Sequence, residues 1–378
     1  MKVNITKDDL SRGLAVVSRV VTGKGQLPVL GNVLLEAEKT GLNLAGTNLE
    51  LGLRADVGGK VIEEGKITVP GRSLAEFVSS LGSQELVSLE TDGEKLKIKA
   101  GKFGATFAGI SATEFPIMPR MTEKSSIKIN KKIISEIARE VAYAAAADES
   151  RPVLTGVRWS VEGDKLLVTA TDGFRLARKM FNVQSSMSNL DGLILPARTI
   201  MELARIEDEG PAFAEASAGK DEVEMQVVKE NNQVIFRVGK VEVISRVLEG
   251  NYPEVDKIIP NEWKTRVTLD KAELERAVRA AGIFARDNNN IIKFNVQSSM
   301  FNVRAAAKES GESEIEIEIE KMEGEEGEIS FNYRYVMDYL GSIDKERVIL
   351  EMSGNLAPGV WKAEGEEGLT ALIMPVRV

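Results

Sequence analysis

The sequence predicts an α+β fold made of three tandem copies of one unit, each with two helices packed on β-sheet. Three observations carry this expectation. A helix-opening segment recurs: Ile5-Thr6-Lys7-Asp8-Asp9-Leu10 matches Ile129-Asn130-Lys131-Lys132-Ile133-Ile134 and Leu269-Asp270-Lys271-Ala272-Glu273-Leu274, at offsets of 124 and then 140. A strand-to-helix junction recurs with an arginine closing each copy: Ile67-Thr68-Val69-Pro70-Gly71-Arg72, Leu193-Ile194-Leu195-Pro196-Ala197-Arg198 and Ile329-Ser330-Phe331-Asn332-Tyr333-Arg334. The spacing also closes arithmetically. Val69-Pro70 recurs at an offset of 126 and Phe115-Pro116 recurs as Tyr252-Pro253 at 137, so the second copy must hold eleven extra residues. The Ala/Gly-rich stretch 210–220 supplies them as a surface-loop insertion.

Each element follows from local chemistry. The first helix of the third copy shows an apolar face at helical spacing, Leu274, Ala277/Val278, Ala281 and Phe284, opened by the capping pair Asp270 and Glu273. The 124 offset carries Leu30 to Leu154, Leu42 to Leu166 and Thr47-Asn48 to Thr171-Asp172, in segments that alternate as strands joined by tight turns. Proline suits the start of a second helix, where its missing N–H would have no partner. Between Glu314 and Glu320 glutamate and isoleucine alternate with a period of two, a strand with one solvated acidic face. The copies are expected at 1–123, 124–256 and 257–378.

Composition narrows the chemistry. Of 378 residues none is histidine and none cysteine. That excludes disulfides, zinc-thiolate sites, cysteine nucleophiles, Ser-His-Asp triads and histidine general bases. Neither a GxxxxGK[ST] loop nor GxGxxG occurs, and nothing in the sequence pairs the carboxylates; Asp148-Glu149 and Asp172 read as helix-end and turn residues before they read as metal ligands. No catalytic residue, metal or cofactor is therefore expected. The net charge of −9 argues against nucleic acid until its distribution is seen: Lys308 to Glu328 alone contributes −8, so the rest sums to −1. Basic residues recur at matching places on the helices: Arg12 and Arg19, Lys132 and Arg139, Arg276, Arg279 and Arg286, with Arg72, Arg198 and Arg205 on the second helices. Each set alone would be a solvated face; recurrence points to a shared phosphate-binding surface. The opening nine residues hold no apolar stretch and no long apolar run follows, so a cytoplasmic chain with no membrane partner is expected. Two rival classes remain at this level: a carboxylate- or metal-dependent hydrolase on a repeated β-rich scaffold, and a scaffold that binds only proteins.

The chain resembles a family, the bacterial DNA sliding clamp (DNA polymerase III subunit beta). The resemblance rests on Leu27-Pro28-Val29-Leu30-Gly31-Asn32, Thr171-Asp172-Gly173-Phe174-Arg175-Leu176-Ala177, Tyr252-Pro253 with Ile259-Pro260, and Ile373-Met374-Pro375-Val376-Arg377-Val378, in that order across the chain. It implies three DNA-clamp domains, a homodimer closing a six-domain ring around double-stranded DNA without sequence preference, and a non-catalytic processivity role. Twelve helices at ~10 Å spacing would enclose a hole of roughly 28 Å, wide enough for a duplex and a water layer. The implied partners are the replicative polymerase alpha-type subunit, the clamp loader complex and other clamp-motif proteins. Their peptides would enter a pocket of Leu154, Thr171, Gly173, Leu176, Pro253, Lys257, Ile258, Asn332, Tyr335, Leu372, Met374, Pro375, Val376 and Arg377. Lys257 and Val376 stand where some members carry arginine and methionine. Lys24 and Arg151 match basic family positions and join the DNA-facing set, while Phe107 and Ile110 against Ile283 and Phe284 resemble the dimer contact.

Overall fold

The computed structural model describes residues 1–21, 27–82, 86–122, 126–183, 185–208, 222–297, 299–308 and 311–377. The 210–220 insertion and Lys24 lie outside them. Among the described residues six α-helices stand at the predicted places: α1 (Lys7–Val17), α2 (Gly71–Ser79), α3 (Lys131–Glu140), α4 (Ala197–Asp208), α5 (Lys271–Ala285) and α6 (Tyr333–Ser342). Their starts are built from side chains. Thr6, Asp270 and Asn332 accept the free N–H groups of Asp9, Glu273 and Arg334 at 3.2, 2.8 and 3.0 Å. Pro70 precedes α2, where no donor is missed. On α5 the buried stripe is Leu274, Ala277, Val278, Ala281 and Ala285; Phe284, expected on that face, is half-buried at its side.

The strands pair antiparallel throughout, and they group the chain differently from its repeats. Two compact units form: residues 1–132 with 202–247, and residues 133–201 with 248–378. The first holds a five-stranded sheet (Lys60–Glu63, Lys2–Thr6, Leu86–Asp92, Lys95–Ala100, Phe103–Ala108 in spatial order) and an eight-stranded one. The eight-stranded sheet is continuous because Leu51–Gly58 of the first repeat pairs with Val241–Arg246 of the second. The second unit repeats the device. Its nine-stranded sheet joins the second and third repeats through Arg175–Asn182 against Leu369–Ile373, beside a four-stranded sheet ordered Gly311–Glu318, Met300–Ala307, Ile291–Gln297, Gly327–Asn332. Each junction between repeats is thus a ladder of backbone hydrogen bonds inside one sheet, which leaves neither partner strand as an open edge.

The third-repeat core is aromatic: Phe294, Phe301, Phe331, Tyr339 and Trp361 have ring centroids 4.9–6.2 Å apart. The alternation read from Glu314–Glu320 holds, with Ile317 buried, Ile315 and Ile319 partly so, and the glutamates at solvent.

Candidate functional site

The second junction carries an apolar pocket of about 170 Å³. Its floor is a tight turn between two strands. Thr171 Oγ1 donates to the Arg175 carbonyl at 2.6 Å, and Asp172 Oδ1 accepts the N–H groups of Phe174 and Arg175 at 2.8 and 2.9 Å. The turn needs φ = +91° at Gly173, and a Cβ there would stand 3.7 Å from the Arg151 guanidinium. The aliphatic side comes from Leu176, Val255, Val360 and Leu372, which cluster with Ile259 partly buried against them.

Eight of the fourteen expected residues line this pocket: Leu154, Thr171, Gly173, Leu176, Pro253, Ile258, Leu372 and Met374. Four others join them: Arg151, Arg175, Glu254 and Val255. Arg151, expected to face DNA, stands in the pocket wall, because the turn Pro152–Thr155 begins directly after it and its guanidinium lies over Gly173. Arg175 was missed although it lies inside the quoted motif. Its guanidinium is sandwiched between the Tyr143 and Tyr335 rings at 5.5 and 4.7 Å and fixed by Asp172 at 3.0 Å and by Asp338. Sequence spacing gives no sign of those partners, since Tyr143 and Asp338 come from distant segments.

The other six expected residues lie off the pocket wall. Tyr335 is across Arg175. Asn332 caps α6. Lys257 points outward to pair with Glu254 at 2.5 Å. Pro375 follows the rim residue Met374, while Val376 and Arg377 line a separate cleft of about 420 Å³ with Ser330 and Leu356, because Val376 N–H bonds the Ser330 carbonyl at 2.8 Å.

The basic helical residues show one recurring arrangement. Arg12, Arg72, Arg205, Arg276 and Arg279 each meet a carboxylate one helical turn away: Asp9, Glu76, Glu202, Glu273 and Glu275. Burial would raise the Asp9 carboxyl, but hydrogen bonds from Thr6 and Arg12 outweigh it and hold it below the usual range. Arg198 and Lys132 are exposed. Arg19 is largely buried and held by Glu202 at 2.7 Å, and Arg139 is bound by Glu140 at 2.5 Å and by Asp344. Exposed pairs of this kind are worth about 0.2–1 kcal/mol each, so a phosphate can replace the carboxylate at little cost. Arg279→Ala is accordingly expected to weaken duplex affinity less than about tenfold while lowering its salt dependence by about one ion, read from affinity against salt concentration.

Among the described residues one carboxylate cluster is close enough to suggest a metal: Glu136, Glu140 and Glu366. The Lys179 ammonium stands among them, at 2.7, 2.5 and 2.8 Å. Asp148 serves a turn, accepting the Ser150 N–H at 2.8 Å, well beyond the end of α3 at Glu140.

Of the expected dimer residues, Ile283 is 60% exposed. Phe107 lies half-buried on the edge strand Phe103–Ala108, its ring edge-on to Phe77 at 5.9 Å. Ile110 packs within its own repeat against Val29, Ala45 and Phe115.

Comparison with known proteins follows the whole chain. The DNA polymerase III beta subunit N-terminal, central and C-terminal domains match residues 1–119, 128–254 and 256–377. The chain belongs to the DNA polymerase III beta subunit family. A beta sliding clamp of Staphylococcus aureus is 26% identical over 386 residues, covering 100% of this chain and 99% of its own. The DNA polymerase sliding clamp of Bacillus subtilis superposes with a TM-score of 0.92 at 26% identity, over 100% of this chain and 99% of that one. The DNA polymerase III subunit beta of Pseudomonas aeruginosa gives 0.89 at 27%, over 100% of both chains. The same measures describe a sliding clamp of that organism bound to griselimycin. The family thus accounts for the threefold repeat, and the chain is a processivity factor of DNA replication.

Proposed function

We propose that two copies of this chain close a ring around duplex DNA and hold a polymerase on its template by a peptide seated in the second-junction pocket. The work is tethering: a bound polymerase keeps a high effective concentration at the primer end, and no bond is made or broken by the ring itself. The observation that carries the peptide reading is the pocket, an aliphatic bowl beside a glycine turn whose close approach suits an extended backbone. Ile258 and Met374 stand partly exposed at its rim, whereas Leu176 is buried, so rim residues separate binding from stability. Ile258→Ala with Met374→Ala should weaken griselimycin binding and polymerase stimulation about 30-fold, with the dimer intact in sedimentation. Loss of the dimer instead would assign these residues to the fold.

Ring closure has a chemical basis in two open sheet edges. Among the described residues Phe103–Ala108 pairs only with Lys95–Ala100, and Gly311–Glu318 only with Met300–Ala307. Exposed Lys95, Lys97 and Lys99 stand on the strand next to the first edge and Lys102 in the turn leading into it; exposed Glu312, Glu314, Glu316 and Glu318 lie on the second edge strand itself. One copy's basic edge against another's acidic edge is a heterologous contact, which makes a ring when its rotation closes. Phe107 and Ile283 lie on or near these edges. The ring works in the cytoplasm with a clamp loader that supplies opening. Among the described residues no helix is long and apolar enough to cross a membrane.

A further inference from the structure

The turn that floors the peptide pocket occurs twice in the chain, bond for bond. At the first repeat junction Thr47 Oγ1 donates to the Leu51 carbonyl at 3.1 Å and accepts the Leu49 N–H at 3.0 Å. At the second, Thr171 makes the same two bonds with Arg175 and Gly173 at 2.6 and 3.1 Å. Asn48 Oδ1 accepts from Glu50 and Leu51 at 3.1 and 2.8 Å, as Asp172 does from Phe174 and Arg175. The neighbouring strand docks identically: Arg246 N–H meets the Glu50 carbonyl at 2.9 Å, and Met374 N–H meets that of Phe174 at 2.8 Å. Even the left-handed backbone recurs, with φ = +77° at Leu49, which lacks the glycine that suits it.

What differs is the filling. Leu176 faces Leu372 across the second ladder, and its counterpart facing Ile244 across the first is Gly52. Val255, which packs on Leu176, corresponds to Met118 at the offset of 137. A Cβ on Gly52 would lie 2.7 Å from the Met118 methyl, so the thioether occupies the space above this floor. Met118 packs there on Ala45 and Phe115 to one side and on Met121 and Ile244 to the other. Its segment is also pinned. Arg54, whose side chain is 11% exposed, donates to the carbonyls of Met118 and Pro119 at 3.0 and 3.3 Å and to Glu242 at 2.6 Å. Among the described residues the equivalent Arg178 holds the exposed Asp256 carboxylate and no backbone carbonyl of that segment, which leaves the second-junction segment with fewer ties.

We propose that the first repeat junction is a second peptide groove of the same design, held shut by Met118, and that it takes the same apolar peptide ligands once that side chain withdraws. The proposal rests on the peptide reading of the second-junction pocket. It assigns Met118 and Gly52 the role of limiting each chain to one open groove. A methionine suits such a plug, being unbranched and able to swing aside without a backbone change. A ligand selecting the open form binds more weakly by the open fraction, which keeps the groove silent at ordinary concentrations.

The test is the stoichiometry of griselimycin binding to the full-length chain by calorimetry. The unaltered chain should bind one molecule per chain. Met118→Val, which installs the residue found at 255, should bind two, as should Gly52→Leu with Met118→Val, which installs both second-junction residues. Adding Ile258→Ala and Met374→Ala to Met118→Val should leave one tight site. One site per chain in both folded Met118 variants would overturn the proposal while sparing the second-junction pocket. No binding to the unaltered chain would remove the pocket reading and this proposal with it. A measurement without any variant guards against misfolding: with methyl-labelled methionine, the Met118 resonance of the unaltered chain should move in a second, weaker phase after the first site fills. Absence of that phase up to the solubility limit of the ligand would count against the groove.

Discussion

Loaded onto nicked circular duplex, the ring should stay bound through a rise from 50 to 200 mM salt with less than a tenfold change in residence, and should leave promptly once the circle is cut. The expectation follows from comparing two kinds of grip. A protein held by 6–10 phosphate contacts loses roughly 10³–10⁵ in affinity over that salt range. The arginines that would supply such contacts here are already paired with carboxylates on their own helices, as in Arg72 with Glu76 at 2.9 Å and Arg276 with Glu273 at 3.8 Å. Pairs this exposed contribute little and exchange readily, which suits a surface that must let DNA slide past. In the proposed ring retention comes from enclosure, and enclosure is indifferent to salt until the ring opens. Release rates that match on cut and uncut circles, or a salt slope of adhesive size on the intact circle, would refute enclosure. The measurement is the fraction of labelled protein that elutes with DNA before and after a single restriction cut.

The helices were legible because each signal is local. Asp270 and Glu273 announce α5, and the threefold junction announces α2, α4 and α6 before any fold is known. The pocket was half legible for the same reason: Thr171, Gly173 and Leu176 sit in one short motif whose hydrogen bonds close within the turn. What escaped was everything set by long-range pairing. The sheets run across the repeat boundaries, so the packing units cut the second repeat in two, and no local pattern encodes which repeat's edge a strand will join. The places of Arg151 and Arg175 in the pocket wall were not legible either, since their charge is visible in sequence but the groups around them arrive from other segments. Several of the basic stripes are exposed helix faces, whereas Arg19 and Arg139 are held by Glu202 and Glu140, partners that periodicity alone does not reveal.

Lys179→Met is expected to destabilise the chain by about 3–5 kcal/mol, the usual cost of removing one partner from a buried ion cluster. The ammonium is 5% exposed and is the shared partner of Glu136, Glu140 and Glu366. Burial alone would lower the Lys179 pKa, but the hydrogen bonds it donates to the three carboxylates outweigh it and raise it above the ordinary lysine value. Its contribution is therefore complete below the unfolded pKa near 10.4 and is lost only as pH rises through the higher folded value. Glu366 behaves oppositely. Burial would raise its carboxyl, yet Lys179 and Lys345 hold it below the usual range, so its share is present above the unfolded pKa and fades as pH falls through the folded one. Without the ammonium Glu366 loses one of the two partners that hold its carboxyl down, so the variant loses less stability than the parent as pH falls from 7 to 5. The difference between the two proteins should then narrow with acid, and at pH 7 the melting temperature should drop by on the order of 10 °C. A shift under about 2 °C at pH 7, or a gap that widens with acid, would show that water reaches the carboxylates and that the cluster is not the closed charge network its geometry describes.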